Sequence, residues 1–163
     1  SARRLGLPVL RRRSGGLALV HLDGDLVWSV VLPRSDARVG RDFARAYGRL
    51  GRGPVALLRD IGIAAEWSEP LGLSREFCLL GPRGRVLTVG GRAIGGAAQH
   101  LSGSALLHQG MVSYRVDRGI LAAVFGEEGR GFGPRITSLS EIGVAAPPPE
   151  LGKRLLEHLA REL

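Results

Sequence analysis

The sequence has few of the residues that fix a fold through covalent or metal cross-links. It has one cysteine, Cys78, so no disulfide can form within the chain, and such cysteine usage is typical of the reducing cytosol. His21, His100 and His108 lack metal-ligand spacing and an acidic or thiol cluster, so we predict no metal site. No apolar run is long enough to span a bilayer. We therefore expect a cytoplasmic protein that has no membrane partner.

Lysine and aromatic residues are also scarce. Lys153 is the only lysine, and the formal net charge of +8 comes almost entirely from arginine. This charge favours acidic partners. Aromatic residues make up 5% of the chain and do not alternate with basic residues, so no platform for stacking bases is present. Because no nucleic-acid-binding motif occurs either, we do not expect nucleic acid to be the partner.

The pattern of apolar residues predicts one α+β domain over residues 1–163, of which 44% are hydrophobic. Strands are predicted at residues 17–22, 26–32, 76–80, 85–89, 91–101 and 104–116, with hairpin turns at 23–25 and 81–84. Helices are predicted at residues 37–50, 55–61, 118–125 after an Asp117 cap, and 150–163, and a further short helix is predicted after 135–141. Hairpins with helices inserted between them predict a mixed, mostly antiparallel sheet covered by helices.

An arginine-rich turn, Arg11 to Gly16, follows the first apolar residues of the chain. Guanidinium groups and the backbone N–H groups of such a turn both suit a phosphate or a carboxylate. The same pattern is also typical of a solvated basic hairpin turn. The residues by themselves leave both interpretations open.

A segment rich in glycine and alanine, Gly91 to Gln99, follows the apolar run Val86–Val89. Glycine within a strand usually marks a bulge or the close approach of a ligand or another backbone. An alternating strand with His108 follows it. A histidine on such a strand is most often a structural residue.

Together these segments resemble the biotin/lipoate protein ligase family, and most closely its lipoate–protein ligase and octanoyltransferase branch. That branch has a pattern like R-R-x-S-G-G-G-A-V-x-H-D, a segment like G-K-K-I-A-G-S-A-Q, a strand like L-L-H-H-G-S and a segment R-V-T-S-L. The corresponding residues are 11–22, 91–99, 106–110 and 135–139, in the same order. The resemblance implies a class II synthetase-like biotin/lipoate ligase fold.

The resemblance also implies a pocket for substrate and nucleotide. Its lining residues would be Arg11, Arg12, Ser14, Gly15, Gly16, His21, Gly95, Gly96, Ala97 and His108. Leu17 stands in place of the family's third glycine, and Ala93 stands where the family keeps a catalytic lysine. That lysine neutralises charge as the acyl adenylate forms, and alanine cannot do so. We therefore predict weak or no adenylation by this chain alone.

Cys78 has two interpretations. A lone cysteine is most often a small buried apolar residue. Some octanoyltransferases of the family have a catalytic cysteine within a segment like C-F-x-x-P-x-x-Y-E-I-T-V-x-G-K-K, and the residues from Cys78 to Ala93 fit that spacing without a gap. A reactive thiolate needs a positive group nearby, and the family lysine is absent.

Three functions remain open, so enzymatic activity is itself undecided. The chain could be a ligase that uses ATP, Mg²⁺ and lipoate or octanoate, a transferase that uses Cys78, or a non-catalytic acyl-binding or regulatory module. By resemblance, the acceptor would be an acidic lipoyl domain of a 2-oxoacid dehydrogenase or glycine cleavage complex. The residues that the family usually has before the double arginine are not in this sequence, so the sequence is a fragment, or a partner chain or second copy supplies that part, or the fold is smaller. We expect an open or incomplete cleft lined by Arg11, Arg12, Gly15, Gly16, His21, Gly95 and Gly96.

Overall fold

The structure is a computed structural model that describes residues 2–38 and 43–163. Its strands are β1 (Leu26–Pro33), β2 (Ala65–Ser68), β3 (Val86–Val89), β4 (Arg92–Leu101) and β5 (Ala105–Val112). Its α-helices are α1 (Phe43–Leu50), α2 (Arg52–Asp60), α3 (Arg118–Arg130) and α4 (Pro148–Arg161). Short 3-10 turns occur at Ala2–Leu5, Cys78–Leu80 and Gly133–Arg135. Among the described residues, no helix is both long enough and apolar enough to cross a membrane.

The strands form one sheet in the order β1-β5-β4-β3-β2. Each pairing between these strands is antiparallel. β4 and β5 are neighbours from the pair Gly95–Val112 to the pair Leu101–Leu106, so the predicted adjacency of these two strands is confirmed. The α+β fold with a largely antiparallel sheet is confirmed as well. β5 ends at Val112 rather than at residue 116.

Two buried clusters cover opposite faces of the sheet, because successive strand residues alternate between them. Leu87 and Ile94 belong to the first cluster, which the helices α1, α2 and α4 cover. Val86 and Ala93 belong to the second cluster. The other buried members of the second cluster, which lie in α3 and in the loops beside it, are Phe77, Leu79, Leu80, Leu121, Phe125, Phe132 and Ile136.

The two predicted hairpins are wrong. Residues 17–22 form no strand, and β1 pairs with β5 over eight residue pairs instead. Residues 78–80 form a 3-10 turn, and β3 pairs with β2 and β4. An apolar pattern predicts a strand but does not identify its partner, and here the partners lie far away along the chain. β2 was not predicted.

The segment 17–22 lies beside residues 76–78 instead. The Ala18 N–H donates to the Glu76 carbonyl at 2.9 Å, and the Cys78 N–H donates to the Ala18 carbonyl at 2.8 Å. These two hydrogen bonds form an isolated parallel bridge between Ala18 and Phe77. They bring the arginine-rich turn next to Cys78.

A side-chain cap marks the start of α3. Asp117 accepts a hydrogen bond from the Ile120 N–H at 2.9 Å, which confirms the predicted cap. Gly126 leaves helical geometry at φ 63°, and a last turn then continues to Arg130. The sequence predicts that the first helix begins at residue 37. Residues 39–42 of that prediction lie outside the described part of the chain, and α1 is described from Phe43.

Two helix predictions near the C-terminus need correction. Residues 141–147 form a turn and an irregular stretch, so the short helix expected after 135–141 does not form. In α4, Leu151, Leu155 and Leu159 are buried as predicted. Leu163 follows the end of that helix and is 44% exposed.

Candidate functional site

A guanidinium group contacts the thiol of Cys78. Arg12 Nη2 donates to Cys78 Sγ at 3.3 Å and to the Leu17 carbonyl oxygen at 3.0 Å. Both side chains are half-buried, so bulk water screens this charge less than it would on an open surface. The contact joins residues that are 66 positions apart. It places a cation at the thiol of a chain in which the family lysine is absent.

Gly16 leaves the space in which this contact forms. Its φ is +105°, a conformation that L side chains rarely adopt. A Cβ built at this position would lie 2.5 Å from Arg12 Nη2 and 2.8 Å from Cys78 Sγ. The neighbouring Gly15 has no such restriction, because a Cβ there would meet nothing within 4 Å. Gly16 is therefore the glycine of the turn that the thiol contact requires.

A small cavity lies beside Cys78. Its volume is about 30 Å³, and Gly96 and Ala97 of β4 lie in its wall together with Leu19, Leu79 and Val86. Gly96 has no side chain, and Leu79 Cδ2 lies 3.1 Å from the position that a Cβ of residue 96 would occupy. The segment rich in small residues thus does face Cys78.

Tyr47 of α1 also contacts this part of β4. Its hydroxyl donates to the Ala97 carbonyl oxygen at 2.8 Å. Burial raises the pKa of Tyr47 to about 12, so the phenol remains a neutral donor at physiological pH. The helical spacing of the sequence predicts that Tyr47 is buried and gives no signal for this contact.

Ala93 lies in an apolar environment. It is fully buried in the second cluster, which also contains Phe77, Phe125 and Phe132. The rings of Phe77 and Phe132 are stacked with centroids 5.0 Å apart. Lys153 is exposed on α4, a helix that packs against α2 and β1 with the first cluster. It therefore lies on the other face of the sheet from Ala93.

The structure brings only part of the predicted pocket together. Arg12, Gly16, Cys78, Gly96 and Ala97 lie around the thiol. The other predicted site residues, which do not line the cavity beside Cys78, are Arg11, Ser14, Gly15, His21, Ala93, Gly95 and His108. Arg11 and Gly15 are exposed, and Ser14 is buried.

His21, Gly95 and His108 have other surroundings. His21 is largely exposed, and its Nδ1 lies 3.7 Å from an Asp25 carboxylate oxygen. Gly95 is buried, and a Cβ there would overlap the Met111 carbonyl oxygen of the neighbouring strand. The small residue at 95 thus allows two backbones to pack closely and does not serve a ligand.

His108 is fully buried. Its Nδ1 lies 3.1 Å from Gln99 Nε2, and its ring packs edge-on against Tyr47 with centroids 5.4 Å apart. Burial lowers the pKa of His108 to about 4, so the imidazole is neutral near pH 7. These contacts suit a structural histidine. Within the described residues, no group of three or more His, Cys, Asp or Glu side chains is arranged to hold a metal ion.

Comparison with known proteins identifies the family. Residues 1–160 match the lipoyl protein ligase A/B catalytic domain. The octanoyltransferase LipM of an Exiguobacterium species is 32% identical over 148 residues, which are 85% of this chain and 53% of that protein. The octanoyltransferase LipM of Exiguobacterium sibiricum is 32% identical over 130 residues, which are 74% of this chain and 47% of that protein. The chain belongs to the lipoyl protein ligase A/B catalytic domain family.

Solved structures show the same fold. A lipoate–protein ligase A bound with ATP superposes with a TM-score of 0.76 at 22% identity, covering 99% of this chain and 61% of the other. A bipartite lipoate protein ligase from Thermoplasma acidophilum, described with its E2 lipoyl domain, superposes with a TM-score of 0.75 at 21% identity. That match covers 99% of this chain and 60% of the other. The chain thus spans about half the length of the curated relatives and about three fifths of these structures.

Proposed function

We propose that this chain carries the acyl-transfer centre of an octanoyl- or lipoyltransferase in which Cys78 is the nucleophile. The observation that carries the proposal is the contact between Arg12 and the Cys78 thiol. Cysteine nucleophiles typically lie in electropositive, partly exposed surroundings, and Cys78 meets both conditions. The octanoyltransferase names of the relatives support the same reaction class.

The proposed reaction has two acyl transfers. In the first, Cys78 Sγ attacks the carbonyl carbon of an octanoyl or lipoyl thioester, the carbon–sulfur bond of the donor breaks, and the donor leaves as a thiol that takes up the Cys78 proton. In the second, the amine of an acceptor lysine attacks the Cys78 thioester, an amide forms, and the Cys78 thiol is restored. Neither step oxidises or reduces a group, and the donor thioester already activates the acyl group.

Arg12 has a defined part in this reaction. Negative charge develops on the sulfur as it gives up its proton and on the carbonyl oxygen during attack. A fixed guanidinium 3.3 Å from Sγ stabilises that charge without reorganising. The loss of one such donor commonly costs about 10²–10³ in rate. Arg12 thereby provides a positive charge at this centre, whereas Ala93, which stands in place of the family lysine, provides none.

The surroundings of Ala93 argue against the ligase alternative. The residue is buried among apolar side chains, and the half-buried Leu17 fills space beside Gly81, so the residues present do not fit an adenylation centre. We derive no step through ATP or Mg²⁺. We expect negligible pyrophosphate release with ATP and lipoate or octanoate. Turnover at about 1 s⁻¹ or faster would contradict this expectation.

The proposed acceptor is a lysine on an acidic domain of the lipoyl type. The net charge of +8 supports an acidic partner, because opposite charge steers association. One solved relative of this fold is described together with its E2 lipoyl domain. A nucleophilic thiol also needs a reducing compartment such as the cytosol.

The experiment that tests the proposal measures acylation of Cys78. The protein is incubated with octanoyl-coenzyme A, and intact-mass spectrometry detects one added octanoyl group. We expect an adduct that hydroxylamine removes, that is absent in Cys78→Ala, and that forms more slowly in Arg12→Gln than in Arg12→Lys. A purified lipoyl domain added afterwards should take up the octanoyl group.

Two outcomes would overturn the proposal. One is a folded protein that forms no adduct and leaves the lipoyl domain unmodified, which would instead favour a non-catalytic acyl-binding module. The other is an adduct that persists in Cys78→Ala, because the acylated residue would then lie elsewhere. Equal rates for Arg12→Gln and the unaltered chain would remove the assigned role of Arg12 alone.

A further inference from the structure

Two small cavities have one lining residue in common, Leu79. The first, of about 30 Å³, is the cavity beside Cys78. The second, of about 20 Å³, is lined by Val20, Phe77, Leu121 and Ile136 among others. Leu79 is only 6% exposed and belongs to the second buried cluster. It therefore separates the space at the thiol from a second apolar space.

Neither cavity holds a medium-length acyl chain. A single water needs about 10–15 Å³ of such volume, so the first cavity has room for about two or three waters and the second for about one or two. An octanoyl group attached to Sγ has seven further carbons to bury. The apolar residues that line the second cavity offer them a surface, and Leu79 is the residue that lines both this cavity and the one at Cys78.

We propose that Leu79 is the residue that determines which acyl chain lengths the site accepts. When its side chain changes rotamer, the two cavities join, and the methyl end of the chain then lies among Val20, Phe77 and Leu121. Each methylene buried there favours binding by about fourfold, which corresponds to about 0.8 kcal/mol. This inference rests on the proposed acyl transfer to Cys78.

Polar groups in the second cavity set the upper limit of chain length. Its lining also includes the polar residues Asp25, Ser113, Arg115 and Asp117. A longer apolar chain would press against these groups and remove water from them, which is unfavourable. The space between Sγ and these polar groups therefore favours chains of intermediate length, and the bulk of Leu79 determines how much of it is available.

The test compares chain-length profiles of variants. Initial rates of Cys78 acylation are measured by intact mass with four-, eight- and twelve-carbon acyl-coenzyme A thioesters. Leu79→Ala and Leu79→Val enlarge the joined space, and we expect Leu79→Ala to raise the twelve- to eight-carbon rate ratio about tenfold or more. Leu80→Ala and Leu80→Val are matched controls, because Leu80 is fully buried in the same cluster but lines neither cavity.

A binding measurement separates this inference from the proposed function. The same variants are titrated with free octanoate and dodecanoate, which requires no reactive thiol. If the unaltered chain forms no adduct, the proposed transfer fails, and the ratio of the two affinities still tests Leu79. Unchanged ratios in folded Leu79 variants, or equal changes in the Leu80 variants, overturn the inference. If the alanine variants do not fold, the valine pair decides.

Discussion

Replacing Gly16 by alanine should separate the guanidinium from the thiol. The new methyl carbon would start 2.5 Å from Arg12 Nη2 and 2.8 Å from Cys78 Sγ, whereas ordinary contact begins near 3.4 Å. One or both groups must therefore move by roughly 0.5–1 Å. The sulfur contact now measures 3.3 Å, so such a shift lengthens or breaks it. Gly15→Ala adds the same methyl group to the adjacent residue, where it meets nothing.

Two effects of different size follow. Alanine at φ +105° is strained, and strain of this kind costs of order 1–3 kcal/mol of folding free energy. Full loss of a charge-stabilising donor lowers a rate by about 10²–10³, and a partial displacement should still lower it at least about tenfold. We therefore expect Gly16→Ala to form the Cys78 octanoyl adduct at least about tenfold more slowly than Gly15→Ala.

The assay combines two measurements. Intact-mass spectrometry with octanoyl-coenzyme A gives the rate of acylation, and urea denaturation gives the free energy of unfolding. The rates are compared under conditions in which both variants are folded. Equal acylation rates would refute the view that the Arg12 contact assists the thiol, even if Gly16→Ala were less stable. Equal stabilities would refute the assigned backbone strain.

Three further predictions concern stability. Gly95→Ala should destabilise the fold by about 2–3 kcal/mol, because the added methyl overlaps the Met111 carbonyl oxygen. Gly103→Ala is the control, because a methyl there meets nothing within 4 Å. Similar urea midpoints for the two variants would contradict this prediction. Burial lowers the pKa of His108 from 6.5 to about 4. The neutral imidazole therefore contributes to the free energy of unfolding above pH 6.5, and this contribution is lost as the pH falls toward 4. The unaltered chain should lose roughly 3 kcal/mol more than His108→Gln over that interval, and parallel pH profiles would exclude the effect. Asp117→Ala removes the cap of α3 and should cost about 1 kcal/mol, with Asp117→Asn retaining most of the stability in thermal denaturation.

The sequence predicts the elements whose pattern is local. Residues 91–101 and 104–116 alternate or carry small residues, and they form the neighbours β4 and β5. Three leucines of α4 recur at helical spacing and are buried, namely Leu151, Leu155 and Leu159. β2 escaped prediction because its four residues are too few to show a period. The partner of β1 also escaped, because strand pairing depends on tertiary contacts rather than on the nearest turn.

The candidate site, like the fold, is predictable from the sequence only where its signal is local. Arg12 and Cys78 were each identified within a motif, but the contact between them joins two loops 66 positions apart. The position of Ala93 within the motif at residues 91–99 shows that the family lysine is absent. It does not show that the alanine lies in a cluster with three phenylalanines, because α3 and the loop after it supply two of them. The sequence gives no signal for the position of Leu79 between two cavities, because a leucine beside other apolar residues indicates only burial.

The bridge between Ala18 and Phe77 has a consequence for how the centre forms and opens. Two backbone hydrogen bonds fasten the segment 17–22, which has no strand of its own, to the chain just before Cys78. Closing such a distant pair requires ordering the intervening chain first, so the guanidinium meets the thiol late in folding. The bridge can also open by local fluctuation while the five strands stay paired. The amide protons of Ala18 and Cys78 should therefore exchange with solvent faster than those in the middle of β4 and β5, and the thiol centre should be dismantled at a smaller free-energy cost than the sheet that supports it.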